Sequence, residues 1–257
     1  MRPERKGDCW GERRMAHHFD VLKATEAEQT GLKGTPSALP ESQALNGHNG
    51  VQDEVAKLVQ RVFVLPGAAR TPGAVAVCGV ERGAGCSWIC AHMGNSLAAQ
   101  APGSVCIVDA NLRGPSLHKY FGLDAGPGLG EALKEPRPIE SFTRPAGKRN
   151  LWVLTAGDSG NGQDGALNPA RLRSRISELR VRFDHLLIDT PPMAEFSDGM
   201  VLAQIADGAI LVVGSNSTRR EAARAVKHSF DAAKVSVLGV VLNKRTYPIP
   251  EALYRRL

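Results

Sequence analysis

The chain has 257 residues, 42% of them hydrophobic and 23% charged, with a formal charge of +6. That length buries one substantial core, and that composition is too apolar for a wholly disordered protein. The charge is modest for the size and scattered along the sequence, which argues against nucleic-acid binding, and no run approaches the roughly 20 apolar residues of a membrane helix.

The N-terminal MRPERKGDCWGERR has no apolar core of the kind a signal peptide needs, so the expected compartment is the cytoplasm. Residues 1 to about 50 are polar and aperiodic, as in GLKGTPSALPESQALNGHNG, and read as a disordered tail ahead of a single domain over 51–257. The domain begins with DEVAKLVQRVFVL. Val55, Leu58, Val59, Val62 and Leu65 fall at helical spacing there, with Asp53 as the expected N-cap.

Short apolar runs then alternate with helical segments. AVAVCG (74–79), SVCIVD (104–109), LWVLTAG (151–157), HLLIDT (185–190), GAILVVG (208–214) and VSVLGVVLN (235–243) read as strands. They are continuously apolar, as expected when helices cover both faces of a parallel sheet. Helices are expected near 87–100, 128–134, 168–182, 197–205 and 218–233. The alternation predicts an α/β, doubly wound, mostly parallel sheet. The five cysteines form no CxxC pair, and Cys78 and Cys106 lie inside strand runs, so they read as small buried apolar residues rather than a disulfide framework or a zinc site.

Ligands of such sheets bind beyond the carboxyl ends of the strands. Three motifs fall there: ERGAGCS after the first strand, VDANLRGPSL after the second and LLIDTPPM after the fourth. In the first, Gly83, Ala84 and Gly85 let backbone N–H groups converge into an anion nest, and the following helix adds its positive end. Ser87 stands where a hydroxyl would ligate Mg²⁺. Asp189 is a second candidate metal ligand, and Asp109 is a carboxylate able to orient a nucleophile or the metal's waters. A dinucleotide site would explain Gly83-Ala84-Gly85 and Asp109, but its third glycine position is Trp88 and it leaves DTPP without a purpose.

GAGCS, IVDANLRGPSLHKYFG, HLLIDTPP, ADGAILVV, TRREA and VLGVVLNK together resemble the bacterial tyrosine kinases of capsular and exopolysaccharide biosynthesis, relatives of the MinD/ParA P-loop ATPases, over residues 51–257. The resemblance implies a P-loop NTPase fold binding ATP and Mg²⁺. Gly83 to Trp88 would form the phosphate loop and Asn243 would contact adenine. It implies a membrane polysaccharide co-polymerase of the chain-length type as partner, which would bring the protein to the inner face of the membrane. Ring assembly through Glu54, Lys57 and Arg61, and autophosphorylation of tyrosines near the C-terminus, here Tyr247 and Tyr254, are implied as well.

The sequence departs from the family where the chemistry lies. Cys86 occupies the place of the lysine that reaches the β- and γ-phosphates. Trp88 replaces a small hydroxyl residue and is expected to crowd the pocket. The family's Asp-Ala-Asp is Asp109-Ala110-Asn111 here. Arg82 in the loop is the cation that could swing onto the phosphates instead, while Lys244 after the last strand would lie near the base. A thiol at a helix N-terminus also suggests a redox-sensitive Cys86, paired with Cys90 one turn on. The expected protein is therefore a family member with impaired kinase activity. An active tyrosine kinase is the first alternative. A MinD/ParA-like positioning ATPase is the second, although its early signature lysine is replaced by Glu81.

Overall fold

The computed structural model describes residues 49–64, 71–157, 168–215 and 217–244, together with 18–19. In chain order these form β1 (His18–Phe19), α1 (Asn49–Val59), β2 (Ala74–Gly79), α2 (Cys86–Gln100), β3 (Val105–Asp109), α3 (Leu117–Tyr120), α4 (Leu129–Ala132), β4 (Thr143–Pro145) and β5 (Leu151–Leu154). Then follow α5 (Pro169–Arg182), β6 (His185–Asp189), α6 (Asp198–Ile205), β7 (Gly208–Gly214), α7 (Arg220–Ala232) and β8 (Val237–Asn243). The strands make one sheet in the order β1-β8-β7-β2-β6-β3-β5-β4, parallel except where β4 runs against β5.

Alternation across the sheet explains the continuous apolar runs. In β2, Val75 and Val77 pack with α1 and α2 in one core, while Ala74, Ala76 and Cys78 face α5, α6 and α7 in the cores on the other side. Residues of β3 and β6 divide the same way, Ile107 and Leu187 to the first face, Val108 and Ile188 to the second. Each fully buried side chain of this size contributes about 1.5–3 kcal/mol. Cys78 and Cys106 are buried in these strands as expected, and burial pushes the Cys78 thiol up to about 12.

The chain turns back at β6. It passes from β2 outward to β3 and β5, returns to β6 between β2 and β3, then crosses to β7 on the other flank of β2. The ends of β2, β6 and β3 thus stand side by side, with Val77 opposite Asp189 and Asp189 opposite Asp109. This is the reversal of strand order at which α/β proteins open a crevice.

Several boundaries differ from expectation. Asp53 is not an N-cap, because α1 starts at Asn49; the spacing Val51, Val55, Leu58, Val62 simply runs one turn further back. Strand β5 stops at Leu154, since the next carbonyls, Thr155 and Ala156, accept from Leu129 N and Gly130 N and so anchor α4 rather than a strand. Helix α4 itself is one turn, not the seven residues expected over 128–134. Within the expected tail, His18–Phe19 pairs with Val240 and Val241; the rest of that tail up to residue 48, along with Leu65, Tyr247 and Tyr254, lies outside the described residues.

Candidate nucleotide pocket

The three strand-end loops surround one cavity of about 460 Å³, lined by residues 81–88 of the first loop, by Asn111, Gly114, Ser116 and Tyr120, by Thr190 and Pro192, and by Asn243 and Lys244. Its size is that of a small-molecule site. Gly83 and Gly85 adopt φ of 82° and 87°, the left-handed region that turns successive amides to one side. Gly85 is the N-cap of α2, so the nest opens at the positive end of a helix of 15 residues.

The loop is held from behind by the last strand. Asn243 Nδ2 donates to Ala84 O at 2.9 Å, and Asn243 Oδ1 accepts from Lys244 N at 2.9 Å. Both ends of the Asn243 amide thus help to fix the loop, and the residue, which the family resemblance assigns to adenine, also lines the pocket. A Cβ at Gly85 would fall on Asn243 Nδ2. Gly85→Ala therefore combines a clash with left-handed strain, and we expect a loss of about 1–3 kcal/mol, read as a melting temperature lower by roughly 3–10 °C. An unchanged melting temperature would mean that the loop is not built on this contact.

Cys86 does not point into the nest. Its Sγ–H donates to Val77 O at 2.9 Å, back toward the strand. Burial, and then the charge of Asp189 and the neighbouring Cys90 thiol, push the Cys86 thiol well above its ordinary value. Burial does the same to Cys90, followed by the charges of Asp189 and Asp109. The helix N-terminus is outweighed, and Cys86 is a neutral, hydrogen-bonded thiol rather than the redox-sensitive one that its position suggests. Iodoacetamide at neutral pH is expected to leave Cys86 unlabelled under conditions that fully alkylate glutathione; peptide mapping that finds Cys86 labelled as fast would contradict this.

Asp189 is fully buried, and neither carboxylate oxygen has a hydrogen-bond partner among the described residues. Burial, and then the charge of Asp109, push its carboxyl up to about 7. The Ser87 hydroxyl and the Cys86 thiol sit close enough to soften that effect but complete no hydrogen bond to it. A buried carboxylate left without a donor, beside a hydroxyl at the mouth of an anion nest, has the oxygen donors that Mg²⁺ requires. Ser87 and Asp189 thus fit the metal they were expected to hold.

Asp109 is held by the loop that follows it. Its Oδ1 accepts from Asn111 N at 3.2 Å, and its Oδ2 from Ser116 N at 3.2 Å and Leu117 N at 3.1 Å. Burial still pushes it up to about 6 against these three amides. These contacts fold the loop 110–117 back onto the strand end and fix the Asp109 carboxylate in place. Trp88 lines the cavity too. Its ring stacks on His92 at 3.8 Å between centroids, and the cavity stays open.

Three residues were not singled out from sequence. Tyr120 reaches the pocket from α3, its phenol pushed up by burial and by Asp189. Thr190 ties the loops together, donating through Oγ1 to Val77 O at 3.2 Å. Glu195, beyond the two prolines, accepts from Arg82 N at 3.3 Å and lies 3.6 Å from Arg82 Nε. Only the motif VDANLRGPSLHKYFG drew attention to Tyr120, and α3 is too short for any periodic signal.

No family model matches the chain. It is 31% identical over 148 residues to the tyrosine-protein kinase ptk of Acinetobacter johnsonii, covering 58% of this chain and 20% of that protein. It is 30% identical over 145 residues to the tyrosine-protein kinase YwqD of Bacillus subtilis, covering 56% of this chain and 61% of that protein. The chain therefore spans less than two thirds of either relative's length. Among solved structures, the kinase domain of the Escherichia coli tyrosine kinase ETK superposes with a TM-score of 0.74 at 20% identity, over 91% of this chain and 93% of that one. The cell division ATPase MinD of Pyrococcus furiosus superposes with a TM-score of 0.60 at 23% identity, over 71% of this chain and 78% of that one.

Proposed function

From a chain homologous to the bacterial tyrosine-protein kinases and built on the P-loop fold of their kinase domains and of MinD-like ATPases, we propose a nucleotide-binding regulator of capsule or exopolysaccharide assembly whose phosphoryl transfer is impaired. The observation that carries this reading is the state of position 86. The glycine nest, Ser87 and the unpartnered Asp189 are intact around it, while the residue that should bring a cation to the phosphates is a neutral thiol turned onto Val77 O.

Binding and transfer lean on different parts of such a site. The nest and helix end hold a diphosphate through backbone amides, which Cys86 leaves untouched. Ser87 and Asp189 would hold Mg²⁺, which supplies charge neutralisation to the β- and γ-phosphates when bound. Transfer needs, in addition, a positive group on the migrating phosphoryl, and losing one such donor costs about 10²–10³ in rate. The protein then acts by contact, in its nucleotide-bound or free form.

The partner we propose is a membrane polysaccharide co-polymerase of the chain-length type, with the protein in the cytoplasm and at the membrane through that partner. None of the helices among the described residues is long and apolar enough to cross a membrane itself. Self-association would use the exposed edge of α1, where Lys57 Nζ pairs with Glu54 Oε1 at 2.7 Å and Arg61 follows one turn on. Incubation with ATP and Mg²⁺ followed by phosphotyrosine detection tests the proposal. No label is expected on Tyr247 or Tyr254, and stoichiometric label on either would restore the active-kinase reading.

A further inference from the structure

An anion nest without a fixed lysine still calls for a counter-charge. Among the described residues, two cationic side chains line the pocket, Arg82 and Lys244. Lys244 follows Asn243 at the end of β8, in a left-handed conformation with φ of 58°. Arg82 stands inside the phosphate loop itself, immediately before Gly83. Its side chain is 65% exposed, and its Nη1 extends across the mouth to within 4.0 Å of where a Cβ on Gly114 would stand. The guanidinium thus lies near the 111–114 turn and lines the cavity.

What holds it there is Glu195, from the third loop. One carboxylate oxygen accepts from the Arg82 backbone amide, and the other pairs with Nε at 3.6 Å. A pair this long and this exposed is weak. A phosphate group offers the same guanidinium two oxygens in bidentate geometry, a stronger contact. Glu195 would in turn repel a phosphate at the mouth. We propose that Arg82 is the phosphate-binding cation of this pocket in place of residue 86, and that Glu195 is the counter-ion it exchanges for phosphate on binding. The proposal rests on the reading that the pocket takes a nucleotide.

The bland alternative is that the pair only pins two loops together. The two accounts differ in sign at Glu195. A pin predicts that removing either partner loosens the loop and weakens binding. An exchange predicts that removing Arg82 weakens binding and removing the Glu195 charge strengthens it. Glu195→Gln keeps the oxygen that accepts from Arg82 N, so the loop anchor survives while the competing charge goes.

The test is calorimetric titration of the full chain with ADP and Mg²⁺, and separately with inorganic pyrophosphate, which removes the base from the comparison. Arg82→Ala is expected to bind both ligands about tenfold more weakly, as for one lost charge-assisted contact. Arg82→Lys, which keeps a charge, should retain part of that affinity. Glu195→Gln should bind both several-fold more tightly, and this gain should vanish in the Arg82→Ala background. Wild-type affinity in Arg82→Ala, with ADP bound normally, overturns the role of Arg82 alone. Weaker binding in Glu195→Gln overturns the exchange in favour of a pin. If wild type, Glu195→Gln and Cys86→Lys all fail to bind ADP, the nucleotide reading falls and the proposal falls with it.

Discussion

Cys86→Lys will bind ADP and ATP about 10–100-fold more tightly than the native chain. A charge-assisted hydrogen bond is worth about 1.5–3 kcal/mol, and each 1.4 kcal/mol is tenfold in affinity. The substitution loses only the thiol's bond to Val77 O. The new ammonium would stand at the N-terminus of α2, next to a nest already formed by Gly83 and Gly85. It would also offer Asp189 the partner that it lacks. Transfer should respond more than binding, by about 10²-fold or more, because the lysine acts on charge that develops only as the phosphoryl moves. Calorimetry and a phosphotyrosine assay on the same preparation read both effects. Equal affinity in the two proteins would show that position 86 no longer governs the phosphates.

Asp189→Asn will melt higher than the native chain at pH 8 in the absence of Mg²⁺, and will lose the effect of Mg²⁺ on nucleotide affinity. Burial and the Asp109 charge raise the Asp189 carboxyl from an ordinary value of 3.8 to about 7 in the folded protein. The folded state therefore binds a proton that the unfolded state has released, between those two values. Stability from this group is fully present below about pH 4 and is lost as pH rises toward 7. Asparagine, neutral at every pH, removes that loss and also relieves the charge felt by Asp109. A gain of roughly 2 kcal/mol, about 4–8 °C, is expected at pH 8 and should fade toward pH 5. Thermal melts across that range decide it. A variant less stable than wild type at pH 8 would mean that Asp189 has a stabilising partner after all.

Both predictions follow from one proposed arrangement: a site for a metal and an anion in which position 86 is a thiol. Much of it was legible in the sequence. All six expected strands formed, because strands buried on both faces carry uninterrupted Val, Ile and Leu, a signal independent of any partner. The glycine turn ahead of α2 was legible because glycine pairs and a following helix are local features. The placement of Asp109 and Asp189 at strand ends was legible too, and they lie on neighbouring strands.

What each carboxylate does was not legible. A motif gives the position of Asp109 but not the three amides of residues 111, 116 and 117 that fold back onto it. The same holds for Asn243, whose amide is taken up by Ala84 O, a contact spanning 159 residues. The stacking of Trp88 on His92, one turn further along α2, is a local i,i+4 contact that helical spacing alone could have shown. The direction of the Cys86 thiol depends on where the Val77 carbonyl sits across the turn. The helix end alone would have lowered its pKa, and burial reverses the sign.

On the proposed reading the pocket binds a nucleotide through Mg²⁺ with no lysine at position 86. The measurement that meets it most directly is titration of the native chain with ADP, with Mg²⁺ and with a chelator. Saturable one-to-one binding that weakens at least about tenfold when Mg²⁺ is removed is the predicted result. No binding in either condition, or binding indifferent to Mg²⁺, would contradict it.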